Sequence, residues 1–234
     1  MNTKIILTVP VYNEEKILES SINTLHTYLS KNISFDWNII IADNASTDNT
    51  KTIAERLSNK NDFVKSVHLK YKGRGNALKY VWTKFDADIY AYCDVDLATN
   101  ISHLKTLFDN VVKGDNIVIA SRYLKKSNSN RTIKRFALSK GYIYLIKLFF
   151  KTNITDFQCG FKAIDKKVVQ EILPKIKDKE WFFDTELLIL AEQSNKYKIK
   201  EIPVEWHEKE DSKVRILKTV WNYIVKLIKL RIRL

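Results

Sequence analysis

The sequence predicts an α/β fold built on a mainly parallel sheet, and three observations support this. Five short runs rich in Ile and Val alternate with longer helical patterns along the first half of the chain. These runs are short, continuous and mostly apolar, as is typical of strands covered on both faces. The chain has 234 residues, 45% of them hydrophobic, with only 5 Gly and 3 Pro and no repeat. Length and composition therefore fit one globular α/β domain with appendages.

The first half follows a regular order. Strands are expected at residues 5–9, 37–42, 63–69, 89–93 and 117–120. Helices are expected between them, at residues 14–30, 47–58, 75–84 and 101–112. Residues 46–50, Ser-Thr-Asp-Asn-Thr, supply cap residues before the second helix. Alternation at this spacing implies right-handed crossovers, and hence strands that run mostly parallel.

The second half is less regular. Residues 133–151 predict a helix of aromatic and aliphatic side chains with interspersed Lys. A short strand at 156–164, helices at 166–173 and 184–194, and a strand at 199–204 stopped by Pro203 complete the prediction. Since no linker separates two independent parts, residues 1–211 are interpreted as one domain. The helix at 133–151 is inserted in it, and a basic helix at 212–234 follows.

The positive charge of the chain is concentrated in two segments. The formal net charge is +13, from 40 Lys and Arg against 27 acidic residues. Residues 122–151 hold nine Lys and Arg and no acid, and residues 212–234 hold seven more without an acid. The rest of the chain is close to neutral. Two cationic segments on a near-neutral body indicate an anionic partner.

Both segments are candidate membrane-interface helices. In the second one, a step of 100° per residue places five cations in a narrow arc, opposite Trp221 and the aliphatic side chains. These cations are Arg215, Lys218, Lys226, Lys229 and Arg233. Such a helix belongs in the plane of an anionic membrane surface. A helix packed on the domain is the alternative. Nucleic acid is not expected as a partner, because the modules that bind it are absent from the sequence.

The sequence favours a cytoplasmic protein that is peripheral to a membrane. Its two cysteines, Cys93 and Cys159, provide neither a disulfide framework nor a metal cluster. The chain enters a strand pattern directly, so a signal peptide is not expected. It also has no run of about 18 uncharged apolar residues, the length that would span a bilayer.

The chemistry is expected at the carboxyl ends of the strands, where ligands bind to such sheets. Polar segments follow the first, second and fourth strands, at residues 9–14, 43–50 and 94–96. Asp94 and Asp96 alternate along an extended segment, so both carboxylates can reach one site. Two such charges are costly to hold together unless a cation lies between them. Mg²⁺ or Mn²⁺, shared with substrate phosphates, would meet that need. Two solvated loop aspartates are the alternative.

Other polar features of the sequence are weaker indications of a functional site. Residues 72–75, Lys-Gly-Arg-Gly, lack the spacing of a P-loop and of a dinucleotide fingerprint. Asp184 and Glu186 begin a helix, where the macrodipole favours acids, although an active-site role is also possible. The histidines show no metal-ligand spacing and are interpreted as structural or surface residues. They are His26, His68, His103 and His207.

The ordered set of motifs resembles family 2 glycosyltransferases of the GT-A fold. The resemblance rests on Val-Pro-Val-Tyr-Asn-Glu at residues 9–14, Asp43 with residues 46–50, and Asp-Val-Asp at 94–96. Segments similar to polyprenyl-phosphate sugar synthases lie at residues 72–77, 94–99, 120–123, 156–162 and 201–206. Gln-Cys-Gly-Phe-Lys at 158–162 is closer to dolichyl-phosphate glucosyltransferases than to the mannosyl enzymes. The family's second Asp and Gly are replaced by Asn44 and Ala45.

This resemblance implies a metal-dependent, inverting transfer of a sugar from a nucleotide diphosphate to a polyprenyl (dolichyl-type) phosphate at a membrane surface. Residues 1–211 would be the catalytic domain. UDP-glucose is the expected donor, with GDP-mannose as the alternative. A transferase for a soluble glycan and an inactive membrane-binding protein of the same fold are further alternatives.

The resemblance also implies residue roles. Asp94 and Asp96 would hold the metal, and Asp96, Asp156 and Arg122 would carry catalysis. Asp156 and Gln158 would contact the sugar, with Asp156 as a weak base. Residues expected to bind the nucleotide are Pro10, Tyr12, Glu14, Asp43, Lys72, Gly73 and Asp94. Residues expected to bind the acceptor phosphate are Arg122, Arg131, Arg135, Ser139 and Lys213.

Overall fold

A computed structural model describes residues 3–130, 132–207 and 216–234, without the side chains of residues 133–135 and 216–221. The strands in this part are Lys4–Val11 (β1), Asp36–Asp43 (β2), Val64–His68 (β3), Ile89–Cys93 (β4), Ile117–Ser121 (β5), Asn128–Asn130 (β6), Phe161–Asp165 (β7), Ile199–Pro203 (β8) and Glu205–His207 (β9). The helices are Leu18–Asn32 (α1), Thr50–Lys60 (α2), Arg74–Lys84 (α3), His103–Val112 (α4), Ile133–Phe150 (α5), Lys166–Glu171 (α6), Phe183–Gln193 (α7) and Ile216–Arg233 (α8). A short 3-10 helix lies at Leu173–Lys175.

The expected mainly parallel sheet is confirmed. Seven strands pair in the order β3-β2-β1-β4-β7-β5-β8, and only β7 runs antiparallel to its two neighbours. The chain leaves β1 toward β2 and β3 on one side and returns to β4 on the other. Strand order therefore reverses beside β1, and a crevice is expected at the carboxyl end of this strand. The five strands predicted in the first half all form, each within about two residues of its expected limits.

Apolar side chains fill both faces of the sheet. Along β1, Ile6 packs into one core cluster, whereas Leu7 and Val9 pack into the other. The side chains of β4 and β5 are buried throughout. Burial on both faces explains why these strands have continuous apolar sequences and not alternating ones.

The segment expected as a strand at 156–164 is extended only from Phe161 onward. The reason is local. The carboxylate of Asp156 accepts the backbone N–H groups of Gln158 at 3.1 Å and Cys159 at 3.1 Å, which turns the chain. The sequence also did not predict β6 and β9, a short parallel pair outside the main sheet. Residues 128–130, Asn-Ser-Asn, carry no strand signal of their own.

The C-terminal helix α8 packs on the body of the domain. Leu227 and Leu230 are buried in the larger core cluster. Two of its cations, Lys226 and Arg233, form ion pairs with acids of the body, whereas Ile232 is 82% exposed. The structure thus has the alternative arrangement, a helix packed on the domain. The expected helix lies in the plane of a membrane surface, with cations on one face and aliphatic side chains on the opposite face. Acidic partners near the start of α7 account for the difference. The boundary expected at residue 211 lies outside the described residues.

Helix α5 has apolar side chains on its buried and on its exposed side. Ile143, Ile146 and Phe150 are buried. Exposed apolar side chains are Phe136, Leu138, Tyr144 and Leu148. No helix in the described part of the chain is long and apolar enough to cross a bilayer.

Candidate active site at the carboxyl edge of the sheet

The loops after β1 and β2 are joined by hydrogen bonds. The Asn13 N–H donates to Ser46 Oγ at 3.0 Å, and the Glu14 N–H donates to Thr50 Oγ1 at 2.8 Å. The Asn44 N–H donates to the Val11 carbonyl at 2.9 Å. The hydroxyl-rich segment at 46–50 thus holds the loop after β1 in addition to starting α2. Two of the three expected polar segments form one unit.

Each of the three site loops has a residue in the left-handed backbone region. The φ angles are 56° at Asn13, 61° at Ala45 and 51° at Leu97. Ala45 occupies the position at which the resembled family has Gly. The turn keeps its positive φ although alanine, unlike glycine, carries a Cβ atom. Positive φ in residues other than Gly costs free energy and is concentrated at functional sites. The residues with positive φ therefore lie at the same edge of the sheet as the polar side chains.

Asp43, the expected partner of the base, is buried. Its side chain forms a close ion pair with His68, which ends the neighbouring strand β3, and its Oδ1 accepts the Ser46 N–H at 3.2 Å. The sequence places this acid at a strand end, where exposure is expected, but the residue is only 1% exposed and that expectation is wrong. Strand β3 covers Asp43 because the two residues pair in register at the end of the parallel ladder. His68 is accordingly a partner of the site.

Tyr12, Lys72 and Gly73, three of the expected nucleotide-binding residues, lie at the same edge. The Lys72 ammonium lies 3.4 Å from the centroid of the Tyr12 ring. The Gly73 N–H donates to Asn44 Oδ1 at 3.2 Å. Pro10 is next to last in β1 and pairs with Ala42. The turn before α3 therefore packs against the loops that follow β1 and β2.

Asp94 and Asp96 follow β4 as expected. The Arg74 guanidinium pairs with Asp94 Oδ1 at 2.9 Å, and the Asp94 side chain remains 42% exposed. Asp96 Oδ1 accepts the Ala98 N–H at 3.0 Å. A Cβ atom at position 160 would overlap the Asp94 carboxylate and the Arg74 guanidinium. Space beside Asp94 thus depends on Gly160.

The acids of the three segments interact electrostatically. Burial raises the pKa of Glu14 above its ordinary value, and the charges of Asp96, Asp48 and Asp94 raise it further. Burial also raises the pKa of Asp94, although Arg74 acts in the opposite direction. Carboxylates held this close favour a bound cation. Among the described residues, no group of three or more His, Cys, Asp or Glu is arranged to hold a metal ion. A hard divalent ion at Asp94 and Asp96 would take its remaining ligands from phosphate oxygens and water, as such ions commonly do.

Arg74 is a site residue that the sequence reasoning missed. It is 7% exposed, and its guanidinium carbon lies 5.0 Å from the Tyr92 ring centroid and 4.7 Å from that of Trp181. Its Nε has no hydrogen-bond partner in the described part of the chain. Burial alone would lower the pKa of Arg74, but Asp94 outweighs it and the pKa is raised. The signal in the sequence is an Arg within the Lys-Gly-Arg-Gly turn, whose spacing fits no known phosphate loop.

Asp156 holds Arg122 in a bidentate pair. Arg122 donates from Nε to Oδ2 at 2.7 Å and from Nη2 to Oδ1 at 2.9 Å. The backbone N–H of Arg122 also donates to Oδ2, at 3.1 Å. Burial would raise the pKa of Asp156, but the Arg122 charge and these hydrogen bonds lower it. Because its pKa is lowered and both of its oxygens accept hydrogen bonds from Arg122, Asp156 is poorly suited to act as a base. The geometry instead assigns it the orientation of Arg122. A contact between Asp156 and the sugar stays a prediction.

A buried lysine supports the loop that carries Asp156 and Gly160. Lys162 is fully buried and donates to the carbonyls of Phe157 at 3.1 Å and Cys159 at 2.6 Å. It also pairs with Asp184 at 3.0 Å. Asp184 therefore has a buried structural partner in addition to its place in the first turn of α7, and Glu186 pairs with Arg233. The sequence motif at 158–162 gave the position of Lys162 but not this contact.

The start of α5 lies near Arg122. The ring of Tyr123, the residue after Arg122, lies 6.0 Å from that of Phe136, and the Lys140 ammonium lies 4.3 Å from the Tyr123 ring centroid. Ser139 belongs to the same turn of α5 as these two residues. Three expected acceptor-phosphate positions, Arg131, Lys213 and the side chain of Arg135, lie outside the described residues.

Comparisons with known proteins identify relatives of this chain. The sequence profile of Glycosyl transferase family 2 matches residues 7–173. The glycosyltransferase AglD of Haloferax volcanii is 30% identical over 237 residues, which cover 95% of this chain and 38% of that protein. A dolichyl-phosphate beta-glucosyltransferase of Trichomonas vaginalis is 32% identical, over 89% of this chain and 65% of that protein. The human dolichyl-phosphate beta-glucosyltransferase is 30% identical, over 93% of this chain and 71% of that protein.

Solved structures share the fold. Glucosyl-3-phosphoglycerate synthase of Mycobacterium tuberculosis, crystallised with Mn²⁺ and UDP-glucose, superposes with a TM-score of 0.73 at 13% identity. The match covers 98% of this chain and 79% of that one. The topology is the GT-A arrangement that the resemblance implied. The profile covers well over half of the sequence and includes the loops that follow β1, β2 and β4, so the chain belongs to glycosyl transferase family 2.

Proposed function

We propose that this chain transfers glucose from UDP-glucose to a polyprenyl phosphate of the dolichyl type. The observation that carries the proposal is the position of Asp43, Asp94 and Asp96 at the carboxyl ends of β2 and β4, the two strands that flank β1. The relatives named as dolichyl-phosphate beta-glucosyltransferases support the choice of sugar and acceptor. The chain spans about two thirds of the length of those relatives and 38% of AglD.

On the donor side, Asp43 would accept the ring N–H of uracil. Its ion pair with His68 and its hydrogen bond from Ser46 fix the carboxylate before the nucleotide arrives. Tyr12 and Lys72 would flank the nucleoside, and Glu14 would line its pocket. Asp94 and Asp96 would hold Mg²⁺ or Mn²⁺, which supplies Lewis acidity toward the diphosphate leaving group.

On the acceptor side, the nucleophile would be an oxygen of the lipid phosphate. Such an oxygen is mostly ionised near neutral pH, because second phosphate pKa values lie near ~6. A strong base is then not required, which agrees with the engagement of both oxygens of Asp156. Arg122, oriented by Asp156 and lying 5.4 Å from the Trp206 ring centroid, would position the phosphate. Direct displacement at the anomeric carbon would invert its configuration and give a β-linked product.

Association with the cytoplasmic face of a membrane is part of the proposal. The acceptor carries a long apolar chain, so the enzyme must work at a lipid surface. Helix α5 exposes four apolar side chains, its first turns lie against Tyr123, the residue after Arg122, and it belongs to the acid-free cationic segment. Anionic lipids attract such segments, and the exposed apolar side chains add burial in the interface.

A donor and acceptor screen tests the proposal. The purified chain is incubated with Mn²⁺ or Mg²⁺, a polyprenyl phosphate in vesicles, and UDP-glucose, GDP-mannose or no donor. We expect a glucosylated lipid with UDP-glucose only. A mannosylated lipid would mean that the donor is GDP-mannose and not UDP-glucose. Transfer only to soluble phosphates would mean that the acceptor is not a lipid phosphate. Lipid unchanged by any donor would contradict the proposal.

Asp96→Asn is the matched negative control for the screen. It removes one carboxylate of the proposed metal site, and loss of one electrostatic stabiliser commonly costs roughly 10²–10³ in kcat. Asp86→Asn changes a carboxylate that is 78% exposed and precedes β4, at the opposite end of that strand from Asp94 and Asp96, so it should leave the rate unchanged. Full activity of Asp96→Asn at saturating donor, or turnover without metal, would contradict the metal site.

A further inference from the structure

Residues 177–181, the clamp loop, connect helix α8 with the turn that carries Arg74. On the α8 side, the Lys226 ammonium lies 2.6 Å from Asp178 Oδ2 and 3.6 Å from Glu180 Oε2. Asp178 also binds the backbone of the clamp loop, because its Oδ1 accepts the Glu180 N–H at 2.8 Å. One carboxylate therefore joins a cation of α8 to the middle of the clamp loop.

A second acid anchors the start of the clamp loop. Glu186 accepts the Lys177 N–H at 3.0 Å and the Asp178 N–H at 2.8 Å, and it also forms an ion pair with Arg233 of α8. Helix α8 thus contributes two cations, and each contacts a carboxylate that fixes backbone N–H groups of the clamp loop.

The other side of the clamp loop packs on the turn at the start of α3. The Gly75 N–H donates to the Glu180 carbonyl at 3.2 Å, and the Asn76 N–H donates to the Lys179 carbonyl at 2.9 Å. A Cβ atom at Gly75 would lie 2.7 Å from Phe183 Cβ, so only glycine permits this close approach. Trp181 then covers the Arg74 guanidinium, which pairs with Asp94.

Burial distinguishes Lys226 and Arg233 from Lys229 and Arg231, which are exposed. The side chain of Lys226 is 29% exposed and that of its partner Asp178 is 9% exposed, whereas Lys229 is exposed. Ion pairs at the surface contribute little, but a partly buried pair is costly to break, since the remaining charge loses its partner. The contact is therefore able to influence where the clamp loop lies.

We propose that Lys226 is a positioning residue for the donor site. Through Asp178 and the clamp loop it holds the Gly73–Gly75 turn, and with it Arg74, against Asp94. This inference rests on the proposed function, in which that edge of the sheet receives the nucleotide diphosphate. It also links α8, in the cationic segment expected to face a membrane, to the affinity for the donor.

The test compares Lys226→Met with Lys229→Met, which remove the same charge from the same helix and keep an unbranched side chain. Two quantities are measured on the full chain: amide hydrogen exchange of residues 73–77, and binding of UDP with Mn²⁺ by calorimetry. Exchange reports whether the Gly75 and Asn76 amides remain bonded to the clamp loop. For Lys226→Met we expect faster exchange at these amides and a UDP dissociation constant raised roughly 5-fold or more. Lys229→Met should match the wild type in both.

Lys226→Arg should restore both quantities, because a guanidinium can reach the same two carboxylates. Three outcomes would overturn the proposal: unchanged exchange of residues 73–77 in Lys226→Met, faster exchange with unchanged UDP affinity, or an equal loss of affinity in both Met variants. A lower melting temperature alone, with wild-type exchange and affinity, would mean that Lys226 only stabilises the fold. If the wild type binds no nucleoside diphosphate, the proposed function fails and the donor-site role of Lys226 fails with it. The exchange result would still decide separately whether α8 holds the turn.

Discussion

Asp43 combines two roles that usually compete, a buried structural partner and a candidate reader of the base. Its carboxylate pairs with His68 and accepts a hydrogen bond from Ser46. Asp43→Ala would remove two hydrogen-bonding contacts, each worth about 0.5–1.5 kcal/mol, so we expect the free energy of unfolding to fall by about 1–3 kcal/mol. UDP binding should weaken in addition, whereas ADP binding should not change, since adenine offers no ring N–H donor.

Urea denaturation and calorimetry of UDP, GDP and ADP check this, with Asp62→Ala as an exposed control. Equal binding of the three nucleotides by the wild type would mean that Asp43 does not read the base. The sequence identified Asp43 correctly as an acid at a strand end. It could not show burial, because the residue that covers it, His68, ends another strand 25 positions away.

Glu14 shows the electrostatic cost of the acidic site. Its pKa in the folded chain lies above the ordinary value of 4.5, first because of burial and then because of Asp96, Asp48 and Asp94. Below pH 4.5 the carboxyl is protonated in both the folded and the unfolded chain and has no differential effect. As the pH rises above that value, the unfolded chain ionises first and the folded chain loses stability until Glu14 has also ionised. At pH 7 the charged carboxylate therefore destabilises the fold.

We accordingly expect Glu14→Gln to raise the melting temperature of the metal-free protein at pH 7. The gain should shrink toward pH 4, and saturating Mn²⁺ should reduce it at pH 7 by neutralising the nearby aspartates. Thermal unfolding at several pH values, with and without Mn²⁺, measures this. A lower melting temperature for Glu14→Gln at pH 7 would mean that Glu14 makes a favourable contact outweighing the repulsion.

Among the elements of secondary structure, the strands were the easiest to predict and the orientation of α8 the hardest. Strands such as β4 are covered on both faces, so their apolar runs are visible in the sequence alone. The orientation of α8 depends on acids near the start of α7, and no pattern within α8 reports these. The same holds for the 156–160 loop, because the Asp156 carboxylate that turns it is held by Arg122, 34 positions earlier.

The packing of α8 leads to a prediction for Leu227, which is fully buried in the core cluster. Leu227→Ala should lower the free energy of unfolding by about 2–5 kcal/mol, the range for deleting a buried leucine side chain. Ile232→Ala, on the same helix but 82% exposed, should change it by less than about 0.5 kcal/mol. Urea denaturation of both variants measures the difference. Equal, small effects would mean that α8 does not depend on the body for its position.

For the molecule as a whole, charge and exposed apolar surface together suggest how it meets its acceptor. The excess of positive charge lies in two segments, and α5 in the first of them exposes Tyr144 (69%) and Leu148 (67%). These residues are four apart and share one face of the helix. The sequence predicted cationic segments at a membrane. It did not show that apolar side chains of α5 face outward, since helical spacing alone does not tell which side of a largely apolar helix is buried.

If this face of α5 enters the lipid interface, replacing Tyr144 and Leu148 with Glu should weaken binding to anionic liposomes. Fully burying one large apolar side chain contributes about 1.5–3 kcal/mol, so loss of the pair should lower the partition coefficient roughly 10-fold or more. Phe63→Glu is the matched control, because Phe63 is also an exposed aromatic residue, at 51%, but lies outside both cationic segments. Sedimentation with vesicles of increasing anionic lipid content measures binding, and repetition at higher salt separates the screened charge contribution from the apolar one. UDP binding should stay unchanged in the double variant, which would show that the donor site is intact. Equal loss of liposome binding in the double variant and in Phe63→Glu would point to charge alone, and α5 would then have no special place at the membrane.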